Sequence, residues 1–152
     1  EYTTAILGNG NNTHVMPIEV SIPKGYDFFD STAKAKHVSQ SVKELPDSPL
    51  KEAVSDLAAR TYQAVYTQDW ARMDILENDQ GSLFVIDINV FPGLRRSADH
   101  PSFFPFCAEK NLGLTYDQTI IALVYEATNR LGMNPTAKMV DMLPPHYSEG
   151  RL

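Results

Sequence analysis

Apolar and polar positions along the chain form short alternating runs broken by two stretches in which apolar residues recur every three or four positions. Residues 2–8 are rich in Thr and branched apolar side chains and end in the turn cluster Gly8-Asn9-Gly10-Asn11-Asn12, which predicts a strand, a hairpin and a return strand over 15–22. Residues 23–49 hold Tyr26, Asp27, Phe28, Phe29, Asp30 and Lys34 without periodicity, the pattern of a mobile loop. From 49 to 66, Leu50, Ala53, Val54, Leu57, Ala58, Tyr62 and Val65 follow a helical spacing, with Ser48 as cap and Pro49 in the first helical position. Two strand-like runs follow at 71–76 and 83–90, joined by a polar loop with hairpin chemistry. Pro92-Gly93 ends the second, and a polar loop runs through Arg95, Arg96, Asp99 and His100. Residues 104–111 predict a short helix closed by Gly113. Thr115 then caps a long helix with Ile120, Ile121, Val124, Tyr125, Ala127 and Leu131 on one stripe and Gly132 as its stop. Residues 133–152, with Pro135, Pro144 and Pro145, read as an irregular tail beyond a domain of residues 1–132. This order predicts an α+β fold: an antiparallel sheet with helices packed on one face, the other face being free for a ligand.

Composition narrows the functional classes. A chain of 152 residues with 43% hydrophobic content can bury one core, so disorder is not the default. A net charge of -6 argues against a domain held to nucleic acid by a phosphate-neutralising patch. The longest apolar run, residues 120–125, is far too short to span a membrane. The single cysteine, Cys107, closes no intrachain disulfide, which makes the cytosol the simplest compartment. The first residues read directly as a strand, with no signal segment, as expected of a piece of something longer.

The chemistry concentrates in the two strand-like runs of the second half. Residues two apart in a strand share a face, so Arg72 and Asp74 point one way and Met73 and Ile75 the other; Asp87 and Asn89 likewise share a face. A short connection brings these polar pairs together across the hairpin. Two carboxylates and an amide oxygen are hard ligands of the kind Mg²⁺ takes while it holds phosphate, and a neighbouring Arg suits a bound anion. The competing reading is an ordinary solvated sheet face. Elsewhere the residues are bland: the sequon Asn11-Asn12-Thr13 reads as a turn, Cys107 and the aromatics Phe103, Phe104 and Phe106 as packing. His14, His37, His100 and His146 are too scattered for zinc.

The string Arg72-Met73-Asp74-Ile75 followed by Asp87-Ile88-Asn89-Val90-Phe91-Pro92-Gly93 resembles the signature near the C-terminal end of the ATP-grasp ligases, most closely the D-alanine–D-alanine ligase family. That family shows an Arg-x-Asp strand and then an acidic-x-Asn-x-x-Pro-Gly strand. The resemblance extends to Glu1-Tyr2-Thr3-Thr4-Ala5-Ile6-Leu7-Gly8, to Pro17-Ile18-Glu19-Val20, and to Phe28-Phe29-Asp30-Ser31-Thr32-Ala33-Lys34, which is similar to the family's mobile loop. Downstream, Pro101-Ser102-Phe103-Phe104-Pro105 and Gly113-Leu114-Thr115-Tyr116 continue it, so that it covers residues 1 to about 131.

The resemblance implies the C-terminal half of an ATP-grasp domain, using ATP and Mg²⁺ (with Mn²⁺ as a substitute) to join small amino acids through an acyl phosphate, in the synthesis of cell-wall peptidoglycan. It aligns Glu1 with the acid that holds the ATP ribose and Lys34 with the loop lysine that reaches the terminal phosphate. Asp74, Asp87 and Asn89 align with the metal ligands. Arg72 and the backbone N–H of Gly93 align with the groups that stabilise an oxyanion, and Ser102 and Phe103 with the pair that grips the second substrate's carboxylate. It also implies a homodimer and missing N-terminal and central regions, without which the fragment is not expected to catalyse. The sequence departs from the pattern at Asp87, where close members carry Glu, at Ser31 and Ala35, where they carry tyrosines, and in residues 94–101, which are longer than the family's short form. Two other functions stay open: a ligase for a different amino acid or peptide pair, and a non-catalytic binding module derived from the same fold.

Overall fold

The computed structural model describes residues 1–26, 42–96 and 102–148. Its centre is a five-stranded antiparallel sheet in the order β3-β2-β1-β4-β5, made of β1 (Tyr2–Asn9), β2 (Asn12–Val20), β3 (Val42–Glu44), β4 (Trp70–Glu77) and β5 (Leu83–Asn89). The β1–β2 hairpin forms where the glycines require it. Gly8 has φ 115°, and a Cβ there would stand 2.1 Å from the Asn12 carbonyl oxygen, which no other residue could accommodate. Lys34 and its neighbours, where a mobile loop is expected, lie outside the described residues. The short edge strand β3 occupies the end of the segment expected to be loop throughout.

Helix α1 (Pro49–Ala64) starts as its sequence dictates, with the Ser48 side chain accepting the Lys51 N–H and Pro49 in the first turn. Helices α2 (Phe103–Leu112) and α3 (Tyr116–Arg130) follow; α2 ends on Gly113 in the left-handed region, and α3 opens with a capping box of Thr115 and Gln118. The expected helices on one face are instead divided between two. Val54, Ala58 and Tyr62 of α1 pack against Tyr2, Ile6, Ala71, Met73 and Ile75, whereas α2 and α3 pack against Ala5, Leu7, Met16, Ile18 and Val20. The reason lies in β1, whose apolar residues stand at both even and odd positions, so the strand needs a cover on each side.

Beyond α3, the segment expected to be irregular carries two short helices, α4 (Ala137–Met142) and α5 (Pro145–Ser148). Thr136 caps α4 by accepting the Met139 N–H. The buried Tyr147 anchors α5: its hydroxyl donates to Glu126 at 2.7 Å and its ring stacks on His14 at 5.0 Å. Among the described residues no helix is long and apolar enough to cross a membrane.

Asp69 ties the hairpin end of the sheet to α3. It sits at φ 65°, its carboxylate receives both Nε and an Nη of Arg130 at 2.8 Å, and it exchanges hydrogen bonds with the Asn9 side chain. Arg130 thereby holds the Asp69 carboxyl below its ordinary value of 3.8. A depressed carboxylate stabilises the fold above its unfolded pKa and loses that contribution as the pH falls through its folded one. Asp69→Asn is therefore expected to cost about 1–2 kcal/mol at neutral pH, with a gap from the parent that narrows from about pH 4 downward. Urea unfolding across that range checks it; a gap independent of pH contradicts the ion pair as its cause.

Candidate active site

Strands β4 and β5 pair with Arg72 opposite Asn89 and Asp74 opposite Asp87, so the four polar residues meet on one patch as the sequence predicts. One feature of β5 was not legible. Simple alternation would put Leu83 and Val85 on the same face as Asp87 and Asn89. A bulge between Asp74 and Ile75 resolves this: Ile75 pairs with Val85, Asp74 pairs with Asp87, and Ile86 has no opposite residue. The phase of the strand flips there, so Leu83, Val85 and Ile88 all pack toward α1 while Asp87 and Asn89 face the other way. Ile86 therefore does not share the face of Ile88, where alternation alone would place it, and is 53% exposed.

The polar patch lies on the same side of the sheet as α2 and α3, not on a side free of helices. These two helices lie over β1 and β2, and the β4–β5 end beside them carries the polar groups. There Arg72 places one Nη 2.9 Å from Asp74 Oδ2 and 3.7 Å from Asp87 Oδ2. Thr3, opposite Asp74 on β1, donates its hydroxyl to Asp74 Oδ1 at 3.0 Å. Asp74 is 5% exposed, and the Asp87 side chain is 57% exposed. Two carboxylates around one guanidinium leave a formal charge of -1. The Arg72 Nε is buried without a hydrogen-bond partner among the described residues, a donor whose satisfaction calls for an acceptor. Asn89 Oδ1 accepts the Phe91 N–H at 3.0 Å, which orients the amide beside the acids.

A second group adjoins this one through Phe103, whose ring lies 6.0 Å from the Arg72 guanidinium carbon. Ser102 stands in the N-cap position of α2, yet its Oγ makes no capping bond and instead accepts the Arg95 N–H at 2.8 Å. The Ser102 N–H donates in return to the Arg95 carbonyl at 3.2 Å. The first-turn amides of α2 are thus left uncapped by a side chain, a positive helix end of the kind that suits an anion. Gly93 fits against this pair: a Cβ there would come within 2.9 Å of Ser102 Oγ. Tyr116 donates its hydroxyl to the Leu94 carbonyl at 2.9 Å and fixes the chain between Gly93 and Arg95. Cys107 lies fully buried below, where burial pushes its thiol up to about 12, so it serves as packing and not as a nucleophile.

Of the residues expected at the site, Arg72, Asp74, Asp87 and Asn89 come together, and Gly93, Ser102 and Phe103 form the adjoining group. Glu1 precedes β1 with its carbonyl accepting the Val20 N–H, two positions from Thr3. Sequence reasoning missed Thr3, because its place beside Asp74 depends on the pairing of β1 with β4, strands far apart in the chain. Among the described residues no group of three or more His, Cys, Asp or Glu is gathered for a metal. The donors present are two carboxylates and an amide.

Comparison with known proteins gives this geometry a context. Residues 1–125 match the family profile described as D-ala D-ala ligase C-terminus. A D-alanine–D-alanine ligase of Bordetella petrii is 32% identical over 129 residues, which span 84% of this chain and 38% of that relative. One from Pseudomonas putida is 26% identical over 132 residues, spanning 87% of this chain and 39% of its own. Among solved structures, the D-alanine-D-alanine ligase from Coxiella burnetii has a TM-score of 0.61 at 20% identity, covering 85% of this chain and 32% of that one. The Bacillus anthracis ligase complexed with ATP also has a TM-score of 0.61, at 18% identity, covering 89% of this chain and 39% of that one. The chain spans well under half the length of these relatives and shares their fold. With the profile matched over most of its length, the chain belongs to the D-alanine–D-alanine ligase C-terminal family.

Proposed function

We propose that the chain is the C-terminal lobe of an ATP-dependent ligase that joins a carboxylate to an amine, making a dipeptide like D-alanyl-D-alanine through an acyl phosphate. The observation that carries this is the cluster of Arg72, Asp74, Asp87 and Asn89 on one patch of sheet, with the buried Arg72 Nε lacking a partner among the described residues. The remaining parts of the nucleotide and donor-substrate sites belong to the part of the relatives that this chain does not span, and the lobe alone is not expected to catalyse.

The donor set fits Mg²⁺, with Mn²⁺ as a substitute. Asp74 and Asp87 supply two carboxylates whose oxygens have lone pairs beyond those used by Thr3 and Arg72, Asn89 supplies an amide oxygen, and the net negative charge favours a divalent cation. Such an ion, when bound, neutralises the charge of the phosphates during transfer. Arg72 then has two tasks. It keeps the two facing carboxylates from repelling each other, and its guanidinium charge stabilises an oxyanion developing at the reacting carbonyl. The Gly93 N–H is the second donor to that oxyanion. The Ser102 hydroxyl and the first-turn amide of Phe103 hold the acceptor's carboxylate, a role that the missing side-chain cap of α2 supports. Glu1 holds the ribose. Lys34, outside the described residues, reaches the terminal phosphate and excludes water from the acyl phosphate.

In the full-length protein, ATP-dependent phosphate release in the presence of D-alanine and Mg²⁺ should fall by at least about a hundredfold in Asp87→Ala, since the variant loses a proposed metal ligand and the net negative charge that favours a cation, Asp74 being left to neutralise Arg72. Release that does not depend on Asp87 contradicts the assignment, and no release with any amino acid favours the non-catalytic module. Thr3→Val tests positioning. With one bond to a buried carboxylate removed, stability should fall by about 1–3 kcal/mol. The same variant should weaken Mg²⁺ binding, raising the concentration needed for half-maximal rate; an unchanged half-saturating Mg²⁺ concentration would make Thr3 merely structural.

A further inference from the structure

Beside Ser102 the structure opens a cleft of about 500 Å³, of whose lining the roles above use Ser102 alone. Arg95, Arg96, Phe106, Glu109 and Tyr116 line it together with Ser102. The volume falls within the roughly 300–1,000 Å³ of small-molecule sites, far more than a single methyl side chain requires.

The charge of the cleft differs in sign from that of the molecule. Arg96 lies 3.7 Å from Asp117 and stacks over the Tyr116 ring at 5.3 Å, and Glu109 is met by Lys110 at 3.4 Å. These charges offset one another in pairs. Arg95 has no ion pair among the described residues, so one guanidinium is left over at the mouth of the cleft, in a chain whose net charge is -6. Its backbone is held in place, since its N–H donates to Ser102 Oγ and its carbonyl accepts the Ser102 N–H. The side chain is therefore presented from a fixed point next to the residue that grips the acceptor. Pro105, Phe106 and Leu114 give the cleft an apolar wall along which a short methylene stem can lie.

We propose, building on the ligase reading, that this cleft selects an acceptor with a second carboxylate: an acidic amino acid, or a short peptide bearing an acidic side chain. The acceptor's α-carboxylate rests at Ser102 and the start of α2, its stem runs along Phe106, and its distal carboxylate meets the Arg95 guanidinium, with Arg96, held by Asp117, beside it. Planar guanidinium forks match carboxylates, and the pairing is strongest where water is partly excluded. Both arginines stand in the segment 94–101, where the sequence departs from its family's short form, so the preference would distinguish this chain from a ligase for alanine alone.

The test uses the full-length ligase with ATP, Mg²⁺ and D-alanine as donor, and compares D-aspartate and D-glutamate with D-asparagine, D-glutamine and D-alanine as acceptors. An acidic acceptor should have a KM at least about tenfold below that of its amide counterpart, the effect of one well-formed charged hydrogen bond. In R95A/R96A that ratio should collapse to near one. Both side chains are exposed and the Arg95 backbone bonds to Ser102 survive the change, so the variant should unfold at the parent's midpoint. The proposal is overturned if acid and amide are used equally, if D-alanine outcompetes both, or if the ratio persists in the double variant. Phosphate release with D-alanine but no acidic preference overturns only this inference, whereas no release with any acceptor overturns the ligase reading beneath it.

Discussion

A guanidinium held between two carboxylates, Arg72 against Asp74 and Asp87, is the interaction around which the functional end of the sheet is organised. Asp74 and Asp87 face each other directly on adjacent strands, an arrangement that costs stability unless a cation intervenes. Arg72 intervenes from the same face of β4, and Thr3 adds a hydrogen bond from β1. With Asp74 buried and Asp87 exposed, such an ionic cluster adds little to stability, because desolvation of the buried acid consumes much of the attraction. Its presence in a sheet that could have been closed with apolar residues is consistent with the cation site proposed for it.

Building that cluster required the sheet to change phase. The bulge at Ile86 lets one strand serve the apolar layer under α1 with Leu83 and Val85, and then the polar face with Asp87 and Asn89, within seven residues. Bulges next to active sites commonly re-aim side chains in this way. A parallel logic holds at Ser102, which gives up the capping bond that its position invites in order to fix Arg95. In both places a local preference is set aside, and in both places the residues involved are those proposed to bind a ligand.

Features governed by near neighbours were legible from the sequence. The hairpin at Gly8–Asn12, the cap at Ser48, the capping box at Thr115, the stop at Gly113 and the approach of Arg72, Asp74, Asp87 and Asn89 all depend on residues close together in the chain. What was not legible depends on distant partners. The pairing of β1 with β4 places Thr3 beside Asp74 across 71 residues, and the cover on both faces follows from β1 lying at the centre of the sheet. The short helices near the C-terminus hold their place through Tyr147, which needs Glu126 and His14 as partners, and their proline-rich sequence gave no periodic signal. The bulge is invisible to an alternation rule because the apolar residues of the strand change parity at Ile86.

The central claim, that this polar patch is a centre for a divalent cation and a nucleotide, is tested most directly by electron paramagnetic resonance of Mn²⁺ added to the full-length protein with and without ATP. The account predicts that ATP causes Mn²⁺ to be retained by the protein and that Asp74→Asn and Asp87→Asn each abolish this retention while the variants stay folded. Nucleotide-dependent Mn²⁺ binding that is unchanged in both variants would contradict it and place the metal elsewhere.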